Sequence, residues 1–114
     1  MQRVLIIAGS DPSGGAGIQA DIKAVTCLGG YAMTAITALT VQNTLGVSDV
    51  MAVPPAFITA QAQVCLDDIG ADAIKTGMLA DVAVMEAVSL VIEGARVFTV
   101  IDPVMVAKGG HALM

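Results

Sequence analysis

The hydrophobic pattern of this chain changes period several times. Residues 4–8, Val-Leu-Ile-Ile-Ala, form a continuous apolar run of strand length. Such a run suits a strand buried on both faces. From residue 16 the period lengthens. Ile18, Ile22, Val25 and Leu28 recur at three- to four-residue spacing and predict a helix over residues 16–28, stopped by Gly29 and Gly30. Residues 31–41 are rich in threonine and β-branched side chains and predict a second strand, with a shorter one at 47–53. Pro54 and Pro55 open a helix through residue 69, since proline is tolerated in a first helical turn. Residues 73–76 predict a strand. Asp81 is placed to cap a helix over 82–93, and residues 97–101 are a last strand. Strands alternating with helices predict an α/β architecture with a parallel or mostly parallel sheet covered on both faces.

Composition narrows this picture. The chain has 114 residues, enough for one domain at most, and 56% of them are hydrophobic. Residues 24–48 carry no charge, but Gly29, Gly30, Thr34, Thr37, Thr40, Gln42 and Asn43 interrupt them, so no membrane span is expected. Met1, Gln2 and Arg3 lead straight into the first strand without a signal-peptide pattern, so a cytoplasmic location is expected. The net charge is −5, and Arg3, Lys23, Lys75, Arg96 and Lys108 are scattered singly. Without a basic patch, nucleic acid is not expected as a partner. Cys27 and Cys65 lack metal spacing and read as reduced, buried cysteines.

Candidate chemistry gathers where strands end. In an open parallel sheet, ligands sit beyond the carboxyl ends of the strands. The first strand runs into Gly9, Ser10 and Asp11, and the second into Gln42 and Asn43. The residue 73–76 strand runs into Gly77 and Met78, and the last into Asp102, Pro103 and Val104. Parallel strands would bring these four segments to one rim. The set offers carboxylates, an amide, a thioether and glycine backbone, which suits a flat, polar heterocycle. Each residue also has a plainer reading. Asp11 and Asp102 precede proline and can simply make turns. Asp21 can complement the helix dipole, although its place at the border of the apolar face asks for a partner. Gln42 can be a solvated loop residue, Met78 core, Lys75 a snorkelling side chain, and His111 an exposed loop residue.

The glycine run Gly9-Ser-Asp-Pro-Ser-Gly14-Gly-Ala-Gly17 follows the first strand directly. Gly9 and Gly14 have P-loop spacing, but Gly15 and Ala16 stand where Lys and Ser or Thr are required. Residues 15–20 match G-x-G-x-x-A weakly. The turn before them is too long, no acid follows at ribose distance, and Asp11 would face a pyrophosphate.

Residues 6–21, Ile-Ile-Ala-Gly-Ser-Asp-Pro-Ser-Gly-Gly-Ala-Gly-Ile-Gln-Ala-Asp, strongly resemble the N-terminus of the hydroxymethylpyrimidine/phosphomethylpyrimidine kinases of thiamine biosynthesis. Residues 36–44, 75–79 and 102–105 match further motifs of that family in order, so the resemblance runs nearly end to end. It implies a three-layer αβα, ribokinase-like fold. It implies transfer of a phosphoryl group from ATP, with Mg²⁺, to 4-amino-5-hydroxymethyl-2-methylpyrimidine and then to its monophosphate. By resemblance the pyrimidine site comprises Gly9, Asp21, Gln42, Met78 and Val104. Gln42 would read the aminopyrimidine edge, and Met78 and Val104 would pack on the ring. Pyridoxal kinases are relatives, so a vitamin B6 substrate stays open. Family members are considerably longer and carry a G-x-G-D anion hole with the catalytic base, which this sequence lacks. The expectation is therefore the substrate-binding N-terminal portion of a kinase domain, inactive alone. It would bind no nucleotide or metal tightly, and would be homo-oligomeric at full length. A small nucleotide-binding module and a non-catalytic interaction protein are the alternatives from other classes.

Overall fold

The computed structural model describes residues 1–102. The elements follow in the order β1 (Arg3–Ser10), α1 (Gly17–Cys27), β2 (Tyr31–Asn43), β3 (Gly46–Ala52), α2 (Pro55–Asp68), β4 (Ala73–Thr76), α3 (Val82–Ala95) and β5 (Phe98–Ile101). They form one five-stranded sheet in the order β3-β2-β1-β4-β5. β1 pairs in parallel with β2 and β4, β4 pairs in parallel with β5, and β3 alone runs antiparallel.

β1 is central because its sequence allows nothing else. Leu5, Ile6 and Ile7 are fully buried. Both faces must therefore be covered, and alternate side chains feed two separate cores. Leu5 and Ile7 pack with Met33, Ile58, Ile74 and Val88 beneath α2 and α3. Ile6 and Ala8 pack with Ile18, Ile22 and Val25 of α1. The result is three layers, α–β–α, as expected.

Local chemistry fixes the helix ends. Asp81 caps α3 by accepting a 2.9 Å bond from Val84 N. Pro54 and Pro55 begin α2, as the sequence predicts. Arg96 closes α3 in the left-handed region at φ 53°. Two expectations fail at the end of α1. Leu28 was placed on the buried face but is 89% exposed, because the helix stops at Cys27 and the chain turns at Gly29, φ 85°. Cys27, expected to be buried, is exposed for the same reason, and Cys65 is partly buried.

Arg3 secures the opposite end of the sheet. Its guanidinium bonds Asp72 at 3.0 and 3.1 Å, and Asp72 also accepts from Arg3 N at 2.8 Å. The side-chain bond from Arg3, helped by the backbone bond, lowers Asp72 to about 2. No helix among the described residues is long and apolar enough to cross a membrane.

Candidate functional site

The three parallel pairings bring the ends of β1, β2, β4 and β5 to one rim. A cavity of about 270 Å³ opens there, and Gly9, Asp21, Gln42, Lys75, Met78 and Asp102 are among its lining residues. Four of the five substrate-site residues picked from sequence thus share one cavity although they come from separate elements. The fifth, Val104, lies outside the described residues.

Two breaks in strand register fall on this site. β1 slips against β2 between Ala8 and Ser10, at Gly9. β2 slips against β3 between Val41 and Gln42. Such irregularities re-aim side chains, and here they sit beside the cavity. Space is also tight at Gly9: a Cβ at that position would come 3.0 Å from Met78 Sδ, so that the thioether would have to shift by a few tenths of an ångström. Met78 is 8% exposed, and its carbonyl accepts a 2.6 Å bond from the buried Thr37 hydroxyl, which fixes it against β2.

The glycine run folds around its own aspartate. Asp11 is 3% exposed and accepts from Ser13 N at 2.9 Å, Ser13 Oγ at 2.7 Å and Ala16 N at 2.8 Å. Asp11 N donates to Gln19 Oε1 at 2.7 Å, and Gln19 Nε2 donates to Ser10 Oγ at 2.7 Å. Burial alone would push the Asp11 carboxyl up. The bonds from Ser13, Ala16 and Gly15 outweigh it and hold the carboxyl below the usual range. A carboxylate therefore occupies the nest of amides that a phosphate would need. The turn-making reading of Asp11 is the right one, and it explains physically why both phosphate-binding templates fail. Gly17 completes the loop at φ 60°; a Cβ there would lie 2.5 Å from Gly9 O.

Asp21 has the partner its position called for. It sits past the first turn of α1, so the dipole does not explain it. Lys75 Nζ donates to Asp21 Oδ2 at 2.7 Å and lies 3.8 Å from Asp102 Oδ2. Lys75 and Asp21 side chains are each 23% exposed. Register explains the contact: Lys75 pairs with Ile6, which puts it on the α1 face of the sheet. The snorkelling reading of Lys75 is thus replaced by an ion pair within the cavity. A lone lysine beside apolar Ile74, and a carboxylate on a helix border, were the signals that could have found it.

Gln42 lies within β2 and is half-buried, so it is not a loop residue. Its Oε1 accepts from Thr40 Oγ1 at 3.1 Å. Thr40 also lines the cavity, and sequence reasoning passed over it.

The described residues do not fit a nucleoside triphosphate with its metal. The amides of Ser13 and Ala16 are taken by Asp11, the Lys75 ammonium by carboxylates, and no cluster of three or more potential metal ligands occurs among them. What they offer is a small cavity with an amide, a thioether and an ion-paired carboxylate, suited to a single polar ring.

Known proteins resemble this chain in sequence and fold. A family model for phosphomethylpyrimidine kinase matches residues 11–114. The hydroxymethylpyrimidine/phosphomethylpyrimidine kinase of Salmonella typhimurium is 47% identical over 117 residues, covering 100% of this chain and 44% of that protein. A crystal structure of phosphomethylpyrimidine kinase from Clostridium difficile superposes with a TM-score of 0.90 at 39% identity, over 99% of this chain and 49% of that one. The pyridoxal kinase of Staphylococcus aureus, in complex with AMP-PCP and pyridoxal, gives a TM-score of 0.82 at 41% identity, over 92% of this chain and 40% of that one. The chain spans less than half the length of each of these relatives. A mostly parallel αβα sheet, a rim cavity held by four motifs in order, and a match along nearly the whole sequence agree: the chain belongs to the phosphomethylpyrimidine kinase family.

Proposed function

We propose that these 114 residues are the substrate-binding portion of a kinase that phosphorylates 4-amino-5-hydroxymethyl-2-methylpyrimidine and its monophosphate on the way to thiamine diphosphate. The observation that carries this reading is the meeting of Gly9, Asp21, Gln42 and Met78 around one cavity. Gln42 reads the aminopyrimidine edge, Met78 and Val104 pack on the ring, and Gly9 leaves the room they need. Asp21, held by Lys75, accepts from a ligand donor. In a full-length kinase of this family ATP and Mg²⁺ would be held, together with the catalytic base, by residues other than the described ones. Phosphoryl transfer rests on positioning and on stabilising the migrating charge, and the described residues carry no such apparatus. The full-length enzyme is a cytoplasmic homo-oligomer with a small-molecule partner.

Calorimetric titration of the chain with 4-amino-5-hydroxymethyl-2-methylpyrimidine should show saturable binding, and titration with NAD should show none. The reverse would establish a nucleotide module instead. An ATP-dependent phosphorylation assay on the same chain should give no product, and genuine turnover would end the fragment reading. Gln42→Ala should weaken pyrimidine binding by roughly 1–3 kcal/mol, since ring polar atoms lose their partner. Unchanged affinity would remove Gln42 from the site.

A second reading, a vitamin B6 substrate, is favoured by one observation: the Staphylococcus aureus pyridoxal kinase aligns over 92% of this chain. Competition between pyridoxal and the pyrimidine in the same titration ranks the two.

A further inference from the structure

The wall of the cavity formed by β2 contains a hydroxyl with two acceptors. Thr40 Oγ1 donates to Ser10 O at 2.7 Å and to Gln42 Oε1 at 3.1 Å. The first bond crosses from β2 to the end of β1. The second joins two residues on the same face of β2, since side chains alternate along a strand. Both acceptors share one proton, because a threonine hydroxyl has only one. Each contact lies where the strands lose register, beside Gly9 in β1 and beside Gln42 in β2. Backbone pairing is least able to hold geometry at such breaks.

We propose that Thr40 is a positioning residue for Gln42. Its hydroxyl ties the end of β1 to β2 across the register shift and holds the Gln42 amide. The other end of the amide is then left for a ligand. A freely rotating glutamine would present either end and would lose rotamer freedom on binding. A clamped one is set beforehand. The proposal rests on the pyrimidine-binding reading for its ligand, but the clamp itself exists without one.

The test is a double-mutant cycle on this chain with 4-amino-5-hydroxymethyl-2-methylpyrimidine as the probe, read by calorimetry. Thr40→Val keeps the shape and removes the hydroxyl, and should weaken binding by about five- to tenfold, the worth of one hydrogen bond. Thr40→Ser should restore affinity to within about twofold of the original. In a Gln42→Ala background, Thr40→Val should add less than about a twofold loss. A full loss in that background would show that Thr40 acts on the fold at large, and would overturn the proposal. The clamp is also read without ligand, from the side-chain amide signals of Gln42 by NMR. They should shift in Thr40→Val, keep their place in Thr40→Ser, and show nuclear Overhauser contacts to Thr40 in the unmutated chain. Amide signals with no contact to Thr40 would overturn the proposal even if Thr40→Val folds too poorly to titrate. If the pyrimidine fails to bind the unmutated chain while these contacts are present, the substrate assignment falls and the clamp stands.

Discussion

Lys75 shows how much one side chain can decide. It lies on a four-residue strand, and its ammonium meets a carboxylate from α1 at 2.7 Å. The pair is neither fully buried nor exposed, so its loss should cost about 1–3 kcal/mol, between the surface and buried regimes. Lys75→Met should therefore lower stability by about that much and weaken pyrimidine binding, because Asp21 loses the partner that fixes it. A Lys75→Met protein with unchanged melting temperature and unchanged affinity would show that the pair is incidental. At this scale, sequence supplied the cast but not the contacts. Asp21 stood on a helix border with no visible partner, and Lys75 lay 54 positions away. Only the register of β1 with β4 joins them. Thr40 gave no signal, because a threonine in a β-branched strand looks like strand propensity alone.

Elements were more legible than contacts, for reasons that differ along the chain. The β1 run had to be central because it is apolar at every position. Asp81 and Pro55 mark helix starts through their own local chemistry. The end of α1 was less legible, because Leu28 continued the helical period although Gly29 had already ended the helix. Periodicity describes a face; it does not say where the sheet beneath it stops. The direction of β3 was equally hidden, since strand propensity is the same whether a neighbour runs parallel or antiparallel. The join between β1 and α1 gives the clearest prediction at this scale. Gly17 takes a positive φ, and a Cβ there would meet Gly9 O at 2.5 Å. Gly17→Ala should destabilise the chain by roughly 1–3 kcal/mol, with a lower denaturant midpoint and disturbed signals at Gly9. A neutral Gly17→Ala would mean that the loop can be built another way.

The whole molecule is held at two ends by different means. At the rim, hydrogen bonds organise the cavity. At the far end, Arg3 ties β1 to Asp72, just before β4. Asp72 titrates near 2 when folded against an ordinary value of 3.8, so its contribution is fully present above about 4. As pH falls through 4 toward 2 that contribution is lost, because the unfolded chain takes up the proton first. Asp72→Asn should flatten the dependence of the urea midpoint on pH between about 4 and 2 and change little at pH 7 beyond a constant offset. An equally steep acid limb in the variant would assign the effect elsewhere. The free side of β5 is the other global feature. Phe98 and Ile101 are 73% and 65% exposed on a strand that pairs only with β4 among the described residues. An apolar sheet edge invites association, so sizing should show an apparent mass that rises with concentration.

The aspartate at the heart of the glycine run amounts to a resident guest: the chain carries its own counter-ion in a receptor shaped for oxyanions. Swapping it out should turn an internal occupant into a vacancy that the buffer can fill. Asp11→Gly should melt well below the parent in chloride and recover part of that deficit in sulfate, beyond the general stabilisation by sulfate that the parent also enjoys. Equal sulfate gains in both proteins would mean that the loop keeps its shape only for the acid it was born with.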